Sequence, residues 1–471
     1  MGEGVPAPVI KCYKIINTVH NFKGQNKGEV SMLQESRGTA PVFSAERLAA
    51  YASIVGQEKM SELYRLGEAL QGVKVQQINS ARFGGGVAEM LYSVIPFEKS
   101  LGLDVSWDVI TAGTDFFVYT KTLHNFLQGK DNDLDLSGHR IYWETNRNNA
   151  GLIRDDAEIV FIHDPQPAGL IEYISPEIRQ RQKWLWRCHI HLSHEHENVF
   201  HFLEGLIARY DLAVFSSGKF LPPWEGVTPA VILPYIDPLA EKNRDLPGET
   251  IRAICHKYGL EDLDKKPLIL LVSRFDPFKG HHFALEAFRL VRRELPCRLL
   301  MVGGTASDDP ENEAIFHRLQ EEARGVSDVL LLNLPPDSHV EINAFQRAAS
   351  IILQPSIKEG FGLTVSEAMW KEKPVIGGDV GGIPGQITDG YNGFLISPGE
   401  KGIAEMARRI RYLLLNPAFA REMGKRGKEA VRERFLITRG IRDEMMIFDS
   451  LLSRTRSPRL TLLPPRPSIT V

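Results

Sequence analysis

The chain has 471 residues, too many for one ordinary hydrophobic core, so its length predicts two domains of roughly 200 residues each. A formal net charge of -3 removes the electrostatic footprint of a protein that binds nucleic acid or an anionic membrane. No window reaches the ~20 apolar residues of a membrane span, no secretion signal is read at the start, and the four cysteines (Cys12, Cys188, Cys255, Cys297) form no C-x-x-C pair. The expectation is a soluble, cytoplasmic protein acting on a small substrate.

Residues 1–40 mix Pro, Gly, Lys and Gln without sustained periodicity and read as a poorly ordered extension. A helical stretch over 44–70 follows, then the apolar run 73–78, a glycine turn, and helical spacing over 87–101, which is the strand-loop-helix signature of a parallel α/β sheet. Further strands are predicted at 105–110, 158–163, 185–189 and 212–215, giving a first doubly wound domain over 41–236. The proline- and charge-rich segment 233–247 reads as the linker. The alternation then restarts, with strands at 268–272, 298–302, 329–332, 351–353 and 374–376 and helices at 283–294, 313–324, 340–348 and 363–370. This predicts a second doubly wound domain over 237–437, and residues 453–471, rich in Pro and Arg, read as a disordered tail. Open parallel sheets bind ligands beyond the carboxyl ends of their strands, so two such domains can face each other across a cleft.

The most informative motif runs from Lys358 through Glu359, Gly360, Phe361, Gly362 and Leu363 to Glu367. Two glycines between a strand and a helix expose backbone N–H groups at a positive helix end, suited to a sugar hydroxyl or phosphate oxygen. Glu367 lies about two helical turns beyond Glu359 and is expected to point the same way, so the two carboxylates would accept hydrogen bonds from sugar and ribose hydroxyls. An ordinary helix start with two solvated glutamates fits the same residues. In the second motif, Ser273 to Gly280, Arg274 and Lys279 can converge on one diphosphate and neutralise a leaving group, although each alone is compatible with a solvated loop. Gly303, closing the strand at 298–302, is a further candidate on the same edge.

In the first domain, Gly84, Gly85 and Gly86 permit close approach of backbone to a ligand or form a tight turn. They do not make the G-x-G-x-x-G fingerprint, which speaks against a nicotinamide- or flavin-dependent oxidoreductase. His163 and Asp164 end one predicted strand and Arg187 to His191 close another, so polar groups gather at one sheet edge. Two metal readings are set aside. His189, His191, His194 and His196 lack H-E-x-x-H spacing, and Asp131, Asp133 and Asp135 begin like a calcium loop but have Leu136 where glycine is needed and Tyr142 where Glu is needed.

The E-x7-E spacing of Glu359 and Glu367, joined by Arg274 and Lys279, resembles the retaining glycosyltransferases of family four, whose fold is glycosyltransferase-B: two Rossmann-like domains facing across a cleft. Stretches at 83–91, 126–129, 163–168, 184–190, 273–279, 343–347 and 359–377 look like the trehalose-forming branch of that family, and trehalose phosphorylases look like longer relatives. The resemblance implies transfer of glucose from an NDP-glucose to glucose, giving α,α-trehalose, without cofactor or required metal. It further implies that Arg274 and Lys279 hold the donor diphosphate, Glu359 with the backbone of Gly360, Phe361, Gly362 and Leu363 the donor glucose, Glu367 the ribose, and His163 the sugar near its 6-hydroxyl. The Gly84–Gly86 loop, with Asp164 and Arg187, would border phosphate and acceptor, and the helix at 438–452 would cross back to the first domain. A phosphorylase using inorganic phosphate and a non-catalytic sugar-nucleotide-binding protein are the alternatives, and a homodimer is left open.

Overall fold

The computed structural model describes residues 42–82, 86–127, 129, 139–190, 192, 196–304 and 310–453. The N-terminal extension, Gly84, Gly85, the aspartates at 131, 133 and 135, His191, His194 and the Pro-rich tail lie outside the described residues.

Two parallel sheets form the frame. The first contains β1 (Lys74–Asn79), β2 (Asp104–Val109), β3 (Ile159–His163), β4 (Lys183–Cys188), β5 (Leu212–Phe215) and β6 (Thr228–Val231), in the spatial order β2-β1-β3-β4-β5-β6. The second contains β7 (Leu268–Val272), β8 (Arg298–Gly303), β9 (Val329–Asn333), β10 (Ile351–Gln354), β11 (Val375–Gly378) and β12 (Phe394–Ile396), in the order β12-β11-β10-β7-β8-β9. Every strand pair in both ladders is parallel, so each connection must cross over, and helices fill the crossovers and cover both faces.

In the first half the helices are α1 (Ala45–Val55), α2 (Gln57–Ala69), α3 (Gly86–Ser100), α4 (Thr114–Leu127), α5 (His139–Asn149), α6 (Pro176–Arg181) and α7 (Glu197–Ile207). The expected single helix over 44–70 is two, because Gly56 adopts φ 92° and breaks the ladder between α1 and α2. The second half carries α8 (Gly248–Lys257), α9 (His281–Arg292), α10 (Pro310–Glu322), α11 (His339–Ala348), α12 (Leu363–Trp370), α13 (Ile403–Leu415), α14 (Pro417–Arg434) and α15 (Ile437–Leu452).

Alternation along the central strands explains the cores. In β3, Val160 and Ile162 join a cluster with Trp184 and Trp186 on one face, while Ile159 and Phe161 join Tyr51, Phe97 and Leu185 on the other. Ile441, Met445 and Phe448 of α15 belong to that second cluster, so the last helix packs on the first sheet. The second sheet is likewise lined on both faces, by Leu270, Phe345 and Val365 on one side and Leu271, Phe288 and Ile410 on the other. The segment between the sheets is pinned by Asp237, which accepts from Arg47 (2.9 Å), the Tyr51 hydroxyl (2.8 Å) and Ser93 (2.8 Å).

Candidate active site

One corner is built entirely by the second sheet. After β7 the chain turns at Asp276, whose Oδ1 accepts from the Phe278 amide at 2.8 Å. Gly280 follows with φ 74°, and a Cβ there would overlap the Pro355 carbonyl oxygen. That close approach brings Lys279 onto the loop after β10, where its Nζ lies 2.9 Å from both carboxylate oxygens of Glu359. Ser356 Oγ (2.9 Å) and Gln354 Nε2 (3.2 Å) also donate to Glu359 Oε2, so a largely buried carboxylate is fixed from three sides. Arg274 lies on the same loop after β7, half exposed and 3.9 Å from Asp276. Gly303 acts on the same loop: a Cβ there would overlap the Ser273 carbonyl oxygen and lie 3.4 Å from Arg274 Cα, so glycine at the end of β8 lets the Arg274 loop lie flat.

The adjoining helix start is open. Gly362 adopts φ 82°, and the N-terminus of α12 has no side-chain cap, which leaves its first amides without a capping acceptor. The Gly360–Gly362 backbone is propped from behind. Gly382 N donates to Gly360 O at 2.8 Å, and Gln386 Nε2 donates to Phe361 O at 2.6 Å. Phe361 itself is buried 5.5 Å from the Phe435 ring and is part of the core.

The first sheet presents its carboxyl end to this corner. A Cβ on Gly86, the first residue of α3, would sit 3.9 Å from Leu363 Cδ1, so the starts of α3 and α12 face each other. Lys358 reaches across, its Nζ 2.9 Å from the Gly129 carbonyl oxygen beyond α4. The two sheets therefore line one cleft with the ends of their strands, where α/β folds place ligands.

At the ends of β3 and β4 the polar residues gather but divide in direction. Asp164 adopts φ 66°, an uncommon conformation for a side-chain-bearing residue. Its Oδ1 accepts from the His189 amide at 2.9 Å, and burial, opposed by that bond and by Arg187, raises its pKa to about 7. His163 departs from the expected role. It is buried, its Nδ1 lies 2.9 Å from His189 Nε2 and its Nε2 2.7 Å from Gln77 Oε1, so both ring nitrogens are occupied by protein. Burial and the Arg187 charge hold both imidazoles well below the usual histidine pKa, hence neutral.

Arg187 is a clear correction. It shares the β4 face of Leu185, beneath α15. Its guanidinium lies 2.5 Å from Glu444 of α15, with side-chain exposures of 1% and 2%, and Tyr235 donates to the same carboxylate oxygen at 2.7 Å. Arg187 therefore ties α15 to the first sheet and is not an acceptor-side group. The ordinary reading of two solvated glutamates does not hold: Glu359 is largely buried, and Glu367 is buried on α12, 3.2 Å from Lys242 Nζ and 3.3 Å from Gln346 Nε2. The glycine run at 381–382 and Gln77 went unremarked in the sequence, although a double glycine after a strand was a signal for the first. Lys242 carried none, being one charge among several in the linker. Among the described residues no group of three or more His, Cys, Asp or Glu side chains could hold a metal ion, and no helix is long and apolar enough to cross a membrane.

The fold is shared with a solved glycosyltransferase of Rickettsia africae, at TM-score 0.65 and 18% identity, covering 82% of this chain and 100% of that one. Residues 259–430, which carry the Lys279–Glu359 corner, match the family model described as glycosyl transferases group 1. The chain is thus a glycosyltransferase with two Rossmann-like domains. Residues 77–222 match the model described as the N-terminal domain of trehalose synthase, and the chain is 42% identical over 410 residues to a trehalose synthase of Pyrococcus horikoshii, covering 86% of this chain and 96% of that relative. It belongs to the trehalose synthase family. A trehalose phosphorylase of Pleurotus sajor-caju is 30% identical over 419 residues, spanning 75% of this chain but 55% of the longer relative.

Proposed function

We propose that the enzyme transfers glucose from an NDP-glucose to the anomeric hydroxyl of a second glucose, giving α,α-trehalose and NDP with retention at the donor carbon. The observation that carries this reading is the corner in which Lys279 lies 2.9 Å from both oxygens of Glu359 beside an uncapped helix start. A diphosphate entering there competes with Glu359 for Lys279 and gains Arg274, which frees the carboxylate to accept from glucose hydroxyls. The bond from the anomeric carbon to the β-phosphate oxygen breaks, the bond to the acceptor oxygen forms on the same face, and the acceptor proton passes to the departing phosphate. Two-carboxylate glycosidases achieve retention through a nucleophile. Here Glu359 keeps Ser356 and Gln354 as donors when Lys279 leaves, and Glu367 is buried against Lys242, so neither is poised to attack. The work falls to positioning and to stabilising the leaving group with preorganised cations.

Under this proposal no metal is required, because Arg274 and Lys279 supply the positive charge. Incubation with UDP-, ADP- or GDP-glucose plus glucose, followed by NMR of the disaccharide, tests it. The expected product is α,α-trehalose from at least one donor. The phosphorylase similarity supports a second reading, and trehalose cleavage that requires inorganic phosphate and no nucleotide establishes that reading instead.

A further inference from the structure

A cation outside the corner holds the second carboxylate. Lys242 belongs to the segment between the two sheets, yet its side chain is only 19% exposed. Its Nζ lies 3.2 Å from Glu367 Oε1 on α12 and 3.2 and 3.4 Å from the two oxygens of Glu89 on α3. One ammonium thus joins the linker, the first helix beyond the glycine turn and the helix that starts at the sugar corner. Glu367 is 4% exposed, and a carboxylate so buried keeps its charge only with a partner.

We propose that Lys242 is a positioning residue for donor binding: it keeps Glu367 ionised and aimed, so that the carboxylate is ready to accept hydrogen bonds from the ribose diol of a nucleoside diphosphate. This rests on the NDP-glucose reading above. The groups facing Glu367 are few. Lys242 comes from the linker, Gln346 donates from α11 at 3.3 Å, and Lys371, the C-cap of α12, turns its Nζ to Asn243 Oδ1 (3.0 Å) and to the Glu367 carbonyl (3.2 Å). Arg347 of α11 acts on Lys371 and is itself spent on Asn343 (2.9 Å) and the Arg244 carbonyl (2.9 Å). Lys242 is therefore the cation bonded directly to the carboxylate. Burial alone raises the pKa of Glu367, and Lys242, then Lys371, reverse this so that it lies below the usual glutamate value.

The sign of the pH effect follows. In the native enzyme Glu367 stays charged from pH 5.5 to pH 8, whereas in Lys242→Gln, which keeps a donor but loses the charge, burial is no longer offset and Glu367 takes up a proton as the pH falls. The experiment is calorimetric binding of UDP, ADP and GDP to the full chain, native and variant, at pH 5.5 and pH 8. The variant-to-native ratio of Kd cancels the titration of the nucleotide phosphates. We expect that ratio to rise between pH 8 and pH 5.5, by about tenfold when the carboxyl is displaced to titrate one unit above the lower pH. Lys242→Arg restores the charge and is expected to return the ratio to within about threefold of one at both pH values. A Lys242→Gln protein that folds and shows a pH-independent ratio overturns the proposal, as does Lys242→Arg behaving like Lys242→Gln. Should Lys242→Gln fail to fold, Lys242→Gln combined with Glu367→Gln decides: with no carboxylate charge left to hold, the double variant must bind no more weakly than Glu367→Gln alone, and a further loss refutes the coupling. If the native enzyme binds none of the nucleotides, the NDP-glucose reading is what fails.

Discussion

Arg187→Met is the sharpest test of how the first sheet is organised. The substitution fills the space of the arginine stem but leaves Glu444, whose side chain is 2% exposed, without the guanidinium 2.5 Å away and with Tyr235 at 2.7 Å as its remaining bonded partner. Removing one member of a buried pair costs about 3–5 kcal/mol, because the surviving charge stays desolvated. With an unfolding entropy of about 2.1 cal/mol/K per residue, a chain of 471 residues unfolding as one unit loses about 3–5 °C in Tm. Scanning calorimetry reads this directly, and Arg187→Met combined with Glu444→Met recovers most of the loss, since an apolar pair of similar volume replaces the ion pair. Because the pair is buried beneath α15, the KM for the acceptor sugar should change less than about threefold. An Arg187→Met enzyme as stable as the native one but with a greatly raised acceptor KM would refute the reasoning and return Arg187 to the substrate.

Arg274→Ala is expected to lower kcat about 10²-fold with a smaller change in donor KM, the loss typical of one transition-state-stabilising donor; steady-state kinetics checks it, and unchanged turnover removes Arg274 from the leaving-group role. Glu359→Gln keeps the shape of the corner but weakens its hold on Lys279, and we expect kcat/KM for the donor to fall by about 10² or more in the same assay. Dialysis against EDTA should leave turnover within about twofold of the untreated enzyme, and a loss restored by a divalent cation would contradict the charge assignment. Asp164 has a native pKa raised to about 7 by burial, so between the ordinary aspartate range and about 7 the folded state holds a proton that the unfolded chain has released. Stability from this group is present at low pH and lost as the pH rises through that window. Asp164→Asn should remove this component, making denaturant midpoints at pH 5 and pH 8 more alike than in the native enzyme.

The strands most legible in the sequence are those buried on both faces. β5 and β7 are unbroken apolar runs, and their bounds match the runs to the residue. β6 and β12 escaped notice for physical reasons: Thr228–Val231 is a half-exposed edge strand containing Pro229, and Phe394–Ile396 is only three residues long. Loop chemistry is readable where glycine marks a turn, as at Lys279 before Gly280 and Glu359 before Gly360. Direction was not. Arg187 lies one residue from Cys188 and two from His189 in sequence, but pleating turns it to the opposite face from Trp186, and its partner Glu444 is 257 positions away. Likewise the histidine at the end of β3 carried no sign that Gln77 and His189 would occupy both its nitrogens.

A crystal structure with an intact NDP-glucose in the cleft measures the central claim most directly. The account predicts Lys279 moved from Glu359 onto the diphosphate, Arg274 within about 3 Å of the same phosphates, a charge-assisted hydrogen-bond distance, and Glu359 accepting from glucose hydroxyls beside the start of α12. A bound donor whose diphosphate lies away from Arg274 and Lys279, with the Lys279–Glu359 pair undisturbed, would contradict it.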